Sequence, residues 1–263
     1  MFSAHFKLSS QPFSEHTPAA SLWPDERMTQ GLARLHYLAE HATLGLVLGA
    51  SGVGKSALLK RFLHGLRGPG TEAVYLHLTH LSATALLKLL LCRLGEEPRR
   101  GKERLFEQIL HRARRGDRSL LLVLDEAHLL DSDALTDLRL LVSSALDEAP
   151  PLKIVLAGQE SLRALLRRGV HADLLDRISV RFHLHPLTKE QTASYIDFQI
   201  KQAGGSEKIF DLPVKSLIHD YSGGVPRQIN NLATACLLQA VAQNTTRVDE
   251  RLLQQTLAEF HLP

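Results

Sequence analysis

The sequence predicts an α/β fold, a parallel sheet with helices on both faces followed by a small all-helical region. Three observations lead there. Short runs rich in Val, Ile and Leu recur at 44–48, 73–78, 120–124, 153–157 and 178–184, with helical patterns between them. Strands buried on both faces read as such runs, and their alternation with helices marks a parallel sheet. After Pro186 the strand patterns stop. Finally, 263 residues, 44% hydrophobic and 22% charged, are enough for one sizeable core and a smaller satellite, and too apolar for a disordered tail.

Taken in order, the chain opens with Pro12, Pro18 and Pro24, which predict an extended lead-in up to Trp23, and continues with a helix over 26–41. The sheet region follows. Thr188 with Gln191 three residues later has the spacing of a capping box, so a helix starts there and ends at Gly204 and Gly205. Pro226 suits a first helical turn, and beyond it Ile229, Leu232, Ala233, Cys236, Leu237, Ala240 and Val241 share one stripe. A last helix covers 249–260. The expected organisation is a lead-in and helix at 1–42, an α/β domain at 43–187 and a smaller helical domain at 188–263.

Composition excludes several classes. Lys and Arg number 31 against 28 Asp and Glu, a net charge of +3, which permits a nucleic-acid partner without demanding one. Two cysteines, Cys92 and Cys236, are too few for a disulfide framework or a cysteine-based metal site. The longest apolar stretch, 83–94, is interrupted by Lys88 and Arg93, and the first ten residues lack the pattern of a signal peptide. The expectation is a cytoplasmic protein with no membrane contact. Fourteen histidines form no metal-ligand spacing such as HExxH.

Directly after the first apolar run stands Gly49-Ala50-Ser51-Gly52-Val53-Gly54-Lys55-Ser56, followed by a helical pattern through Leu58, Leu59, Phe62 and Leu63. Letters and context both fit a phosphate-binding loop. Glycines let backbone N–H groups approach phosphate oxygens, and the new helix points its positive end at the same place. The nucleotide-binding candidates are Gly49, Ser51, Gly52, Val53, Gly54, Lys55, Ser56 and Ala57. Lys55 would reach the β- and γ-phosphates, and the Ser56 hydroxyl would ligate Mg²⁺. The third run ends in Asp125-Glu126-Ala127-His128, which puts two carboxylates at the sheet rim where such folds bind ligands. Asp125 would hold the Mg²⁺ through its hydration shell, and Glu126 would act as general base on water. His128 either tunes that base or supports the structure around it.

Gln159 follows the fourth run and lies beside the phosphates if that strand sits between the first and third; otherwise it only starts a helix. Arg177 and Arg181 flank the start of the fifth run, forming either surface ion pairs or a charge presented to a neighbouring subunit's nucleotide. Arg227 sits in a first helical turn, a poor place for a cation unless a phosphate is near. The densest basic segment, 93–118, includes Arg99, Arg100, Lys102 and Arg104 among interleaved acids. It is either a phosphate-contacting surface or a solvated helix laced with ion pairs. Thr79 and His80, in the loop after the second run, are further DNA-contact candidates because that place resembles the axial loops of AAA+ ATPases. Few aromatics accompany them, so duplex DNA would be followed along its backbone without regard to sequence. Phe13 and Trp23 either cover core or face an adenine.

These residues resemble the AAA+ ATPases of the ExeA type and their relatives among transposition regulators, the TniB, TnsC and MuB-like proteins. The likeness runs from Phe6-Lys7-Leu8 and Gln11-Pro12-Phe13 through the phosphate loop, Asp125 to His128, Leu138 to Leu141, 153–162, Arg177-Ile178 and His183 to Leu187 to 223–231. The resemblance implies ATP held between subunits of a homo-oligomeric ring or helical filament. Gln159 then resembles sensor 1, Arg227 sensor 2 and Arg177 the arginine finger, with Arg163, Arg167 and Arg168 as rivals. Phe13 and Trp23 resemble the adenine-side packing. Secretion-type members carry a later membrane span and a cell-wall-binding domain that these 263 residues lack, so the expected branch is transposition. There an ATP-bound assembly coats double-stranded DNA, recruits a transposase and is released by hydrolysis; assistance to secretion is the alternative.

Overall fold

A computed structural model describes residues 2–66, 70–143 and 151–260. The elements in chain order begin with α1 (Phe2–His5), α2 (Glu26–His41), β1 (Leu44–Leu48), α3 (Lys55–Gly65), β2 (Thr71–His77), α4 (Ala83–Arg93), α5 (Lys102–Arg115) and β3 (Ser119–Asp125). They continue with α6 (Ser132–Ser143), β4 (Leu152–Gly158), α7 (Glu160–Leu166), α8 (Ala172–Arg177), β5 (Val180–His183), α9 (Lys189–Gln202), α10 (Leu212–Ser222), α11 (Pro226–Ala242) and α12 (Glu250–Phe260). Two compact units result: Asp25–Ser51 with Lys55–Leu184, and Met1–Pro24 with Gly52–Gly54 and His185–Pro263.

The first unit is the parallel five-stranded sheet with helices on both faces, in the order β2-β3-β4-β1-β5. Strand periodicity sorts its side chains between two cores. Leu44, Leu46, Leu122, Leu124, Ile154 and Leu156 join the layer that contains Leu86, Leu90 and Leu138 of α4 and α6. Val47, Leu121, Val123, Val155 and Ala157 join Leu35 and Leu38 of α2 and Leu58, Leu59 and Phe62 of α3. The same alternation that turns Leu121 and Val123 toward α3 delivers Asp125 to that face. Insertion of β4 between β3 and β1 brings the ends of these three strands side by side, the arrangement on which the position of Gln159 depended.

The strand run 73–78 becomes Thr71–His77, starting two residues earlier and ending one earlier, and 178–184 is trimmed to Val180–His183, with Ile178 and Leu184 remaining as buried flanks. The helix over 26–41 forms as expected because the Asp25 side chain accepts the Met28 N–H at 2.6 Å.

The second unit is helical. The Thr188 capping box is present, with the Thr188 hydroxyl accepting the Gln191 N–H at 3.2 Å and the Gln191 side chain accepting the Thr188 N–H at 3.0 Å. The α11 stripe buries Ile229, Leu232, Ala233, Cys236, Leu237 and Ala240, while Val241 is only partly covered. Burial pushes the Cys236 thiol up to about 12, whereas Cys92 is exposed.

The extended lead-in requires correction. Phe2–His5 is a short helix and Ala19–Ser21 a single 3₁₀ turn. Phe6, Leu8 and Phe13 bury themselves in the helical core, and that tertiary anchoring overrides the extended preference of a proline-rich segment. Among the described residues no helix is long and apolar enough to cross a membrane.

Gly224 holds the turn before α11. Its φ is +72°, its carbonyl accepts the Leu187 N–H at 2.8 Å, and a Cβ there would sit 2.1 Å from the Leu187 carbonyl oxygen. Gly224→Ala is therefore expected to cost about 2–4 kcal/mol, combining left-handed strain with a backbone clash. A denaturant midpoint unchanged from the native protein would refute this account.

Candidate nucleotide site

The loop after β1 leads into α3, whose first residue is Lys55. Lys55 is 4% exposed, and its ammonium donates to the Gly49 and Ala50 carbonyls at 3.0 Å each. A buried ammonium against carbonyl dipoles is a strong attraction for an anion that can displace them. Gly52 has φ +77° and Gly54 φ +111°, values that glycine adopts without the Cβ penalty. Gly52–Gly54 group with the helical unit, and within it the Arg227 N–H donates to the Gly52 carbonyl at 3.3 Å. Val53 is buried; Ser51 is exposed, and Ala57 is partly covered in the first turn of α3.

Asp125 is wholly buried. Its Oδ2 accepts from the Ser56 hydroxyl at 2.6 Å and from the Tyr75 hydroxyl at 2.9 Å, and its Oδ1 accepts the Glu126 N–H at 2.9 Å. The resulting cluster suits a hard cation. Mg²⁺ takes oxygen ligands, usually one or two from protein with the rest from water and substrate phosphates, and a hydroxyl beside a carboxylate meets that need. The residues thus fit Mg²⁺ with a polyphosphate, Ser56 and Asp125 being those that would hold the ion.

Glu126 adopts φ +59°, a left-handed conformation costing a non-glycine residue about 1–3 kcal/mol. That turn brings its Oε2 to 3.4 Å from His128 Nδ1, and His128 Nε2 lies 3.1 Å from the Gln159 amide nitrogen. Gln159 caps the start of α7 and is half-buried, so Glu126, His128 and Gln159 form one contiguous group at the ends of β3 and β4.

Tyr75 escaped the sequence reading. In β2, residues 75 and 77 share one face, and His77 pairs in register with Asp125, so strand periodicity placed Tyr75 one step diagonal to that carboxylate. Burial, then the Asp125 charge and hydrogen bond, hold the Tyr75 hydroxyl well above its usual range, keeping it a donor.

The other candidates have their own surroundings. Arg177 is exposed at the last residue of α8; Arg181 is exposed as well, but its guanidinium donates to the Leu175 and Ile178 carbonyls at 2.8 and 3.3 Å. Arg163 pairs with Glu160 at 3.3 Å. Arg227 is exposed in the first turn of α11. Phe13 is 4% exposed and packs edge-on against Phe210, and Trp23 packs against Tyr195, so both rings serve the helical core.

Within the basic segment the structure separates two kinds of residue. Lys102 is committed to Asp137 at 2.9 Å, and Arg112 to Glu72 at 2.8 Å. Arg99, Arg100 and Arg104 are exposed, as is Thr79.

Comparison with known proteins agrees with this geometry. Residues 38–166 match the family described as AAA domain. Over 256 residues, 94% of its length, the chain is 32% identical to General secretion pathway protein A of Aeromonas hydrophila, and it spans 46% of that relative. Cdc6p of Pyrobaculum aerophilum superposes with a TM-score of 0.72 at 19% identity, over 94% of this chain and 70% of that one. The Aeropyrum pernix ORC1 protein in complex with DNA gives 0.69 at 18% identity, over 92% and 69%. Likeness at such identities concerns the fold. The chain thus has the P-loop NTPase fold of the AAA+ type, and residues 38–166 are the part that matches the AAA-domain family.

Proposed function

We propose that the protein binds Mg²⁺–ATP at the β1–α3 loop and hydrolyses it, using the nucleotide state to govern an assembly of several copies. The observation that carries this reading is the meeting of Ser56 and Asp125 at 2.6 Å beside the buried Lys55, with Glu126 one residue further on. When bound, Mg²⁺–ATP supplies the electrophilic γ-phosphorus and the cation that neutralises developing charge.

The chain's own residues supply the rest. Loop amides and Lys55 bind the phosphates; Ser56 and Asp125 hold the ion. The Glu126 carboxylate accepts a proton from the attacking water, and the Gln159 amide orients toward the terminal phosphate. Exposed Arg177 is available to a neighbouring copy, whereas Arg181 is occupied by its own backbone. That contrast favours Arg177 as the group completing the neighbour's site.

As to the task served, the 32% identity to a general secretion pathway protein favours an ATPase module of a secretion or cell-envelope assembly over the transposition branch. A second reading has its own observation. Arg99, Arg100 and Arg104 stand exposed together, and DNA is present in one of the structures with this fold. On that reading the assembly forms on duplex DNA, and a transposase is one partner it could address.

Turnover measured with and without duplex DNA at low salt separates the two. The DNA reading expects stimulation that weakens steeply with salt, and neutralising the three arginines should lower the log–log salt slope by about 2.7. Turnover and assembly indifferent to DNA would leave the secretion reading alone. No Mg²⁺-dependent turnover under any condition would overturn both.

A further inference from the structure

His128 sits in the 3₁₀ turn Ala127–Leu129, its side chain 12% exposed, between the two groups that the proposed mechanism uses separately. Its Nε2 is 3.1 Å from the Gln159 amide nitrogen. Its Nδ1 is enclosed, makes no hydrogen bond, and faces Glu126 Oε2 at 3.4 Å. The turn lies close against the end of β4, where a Cβ on Gly158 would come within 3.2 Å of the His128 backbone nitrogen.

Hydrogen-bond chemistry gives this arrangement a direction. An amide NH₂ can only donate, so His128 Nε2 accepts and the ring proton lies on Nδ1. That N–H faces a carboxylate. The 3.4 Å separation is a contact not yet closed into a hydrogen bond, as is common around catalytic groups before substrate arrives. The amide has two N–H groups, so it can hold the ring with one and a terminal phosphate oxygen with the other.

We infer that His128 is a positioning residue that couples Gln159 to Glu126, so that a γ-phosphate seated on the amide steadies the imidazole and aims the general base. With a diphosphate the amide lacks its second partner, and Glu126 is left unaimed. The imidazole transfers no proton; it acts through the two groups it touches. This inference rests on the proposed ATPase reading and deepens it.

The test uses the full chain. In His128→Ala, kcat should fall about ten- to a hundred-fold, the usual effect of losing a partner that orients a reacting group. ATP and ADP dissociation constants and the melting temperature should stay near native values. His128→Gln should recover part of the loss. The double variant with Gln159→Ala should be no slower than the slower single variant, because both break one relay.

A second readout does not depend on turnover or on any variant. Nitrogen NMR of the native protein should show His128 as the Nδ1–H tautomer, with a change on adding a non-hydrolysable ATP analogue but not ADP. An Nε2–H tautomer, multiplicative losses in the double variant, or a His128→Ala kcat within twofold of native would each overturn the relay. Glu126→Gln distinguishes the levels of failure. If it is inactive while His128→Ala is normal, the relay alone falls; if it turns over normally, the base assignment falls and takes the relay with it.

Discussion

Lys55→Ala is expected to lose about 3 kcal/mol of nucleotide affinity, roughly 150-fold, by direct titration. The Lys55 ammonium is 4% exposed and held by two loop carbonyls, so it is already stripped of most water and loses little more when a phosphate replaces those partners. Alanine removes the charge and leaves both carbonyls facing the phosphates, so attraction becomes mild repulsion.

Thermal melting gives an independent view. ATP at about a hundred times its dissociation constant stabilises a native state by about 2.7 kcal/mol, which is about 5–10 °C for a protein near this size. The native protein should show that shift and Lys55→Ala should not. Mixing Lys55→Ala with Arg177→Ala tests the shared site, since one brings an intact arginine and the other an intact lysine. Recovery of turnover in the mixture is the expected result; additive inactivity would remove Arg177 from the neighbour's site.

Glu126→Gln should lower turnover by about 10²- to 10⁴-fold while ATP affinity stays within about twofold. Glutamine keeps the side chain's length and can still meet His128, but it cannot accept a proton from water. The backbone also stays as it was, because the left-handed turn at φ +59° is imposed on either residue alike. If nucleotide governs assembly, the variant should form an ATP-bound oligomer that outlasts the native one, read by light scattering after dilution. Unimpaired turnover would mean that the proton leaves by another route.

Much of the candidate site was legible in the sequence, for a physical reason. A phosphate loop is a local object: glycines, a lysine and a hydroxyl must follow a strand and open a helix, and all of that is spelled within eight adjacent residues. The same holds for Asp125 and Glu126 at the end of an apolar strand, and for the Thr188 box that starts α9. What was not legible involves partners far apart in sequence. Tyr75 reaches Asp125 only because β2 pairs with β3 in one register, and His128 meets Gln159 only because β4 lies next to β3. The lead-in misled for the complementary reason: its prolines favour extension locally, whereas Phe6, Leu8 and Phe13 gain more by burial in a core built from residues some two hundred positions away.

By itself, then, the chain's order of residues determined where the candidate phosphate loop and the carboxylate pair stand, which strand bears that pair, and that a helical unit follows the sheet, because each depends on short-range pattern and periodicity. Tertiary structure alone decided which arginine of the pair beside β5 donates to backbone carbonyls, which basic residues pair with acids on other elements, and how an imidazole comes to lie between a carboxylate and an amide. Those outcomes depend on hydrogen-bond and charge partners supplied across the fold, and no local pattern encodes a partner's distance.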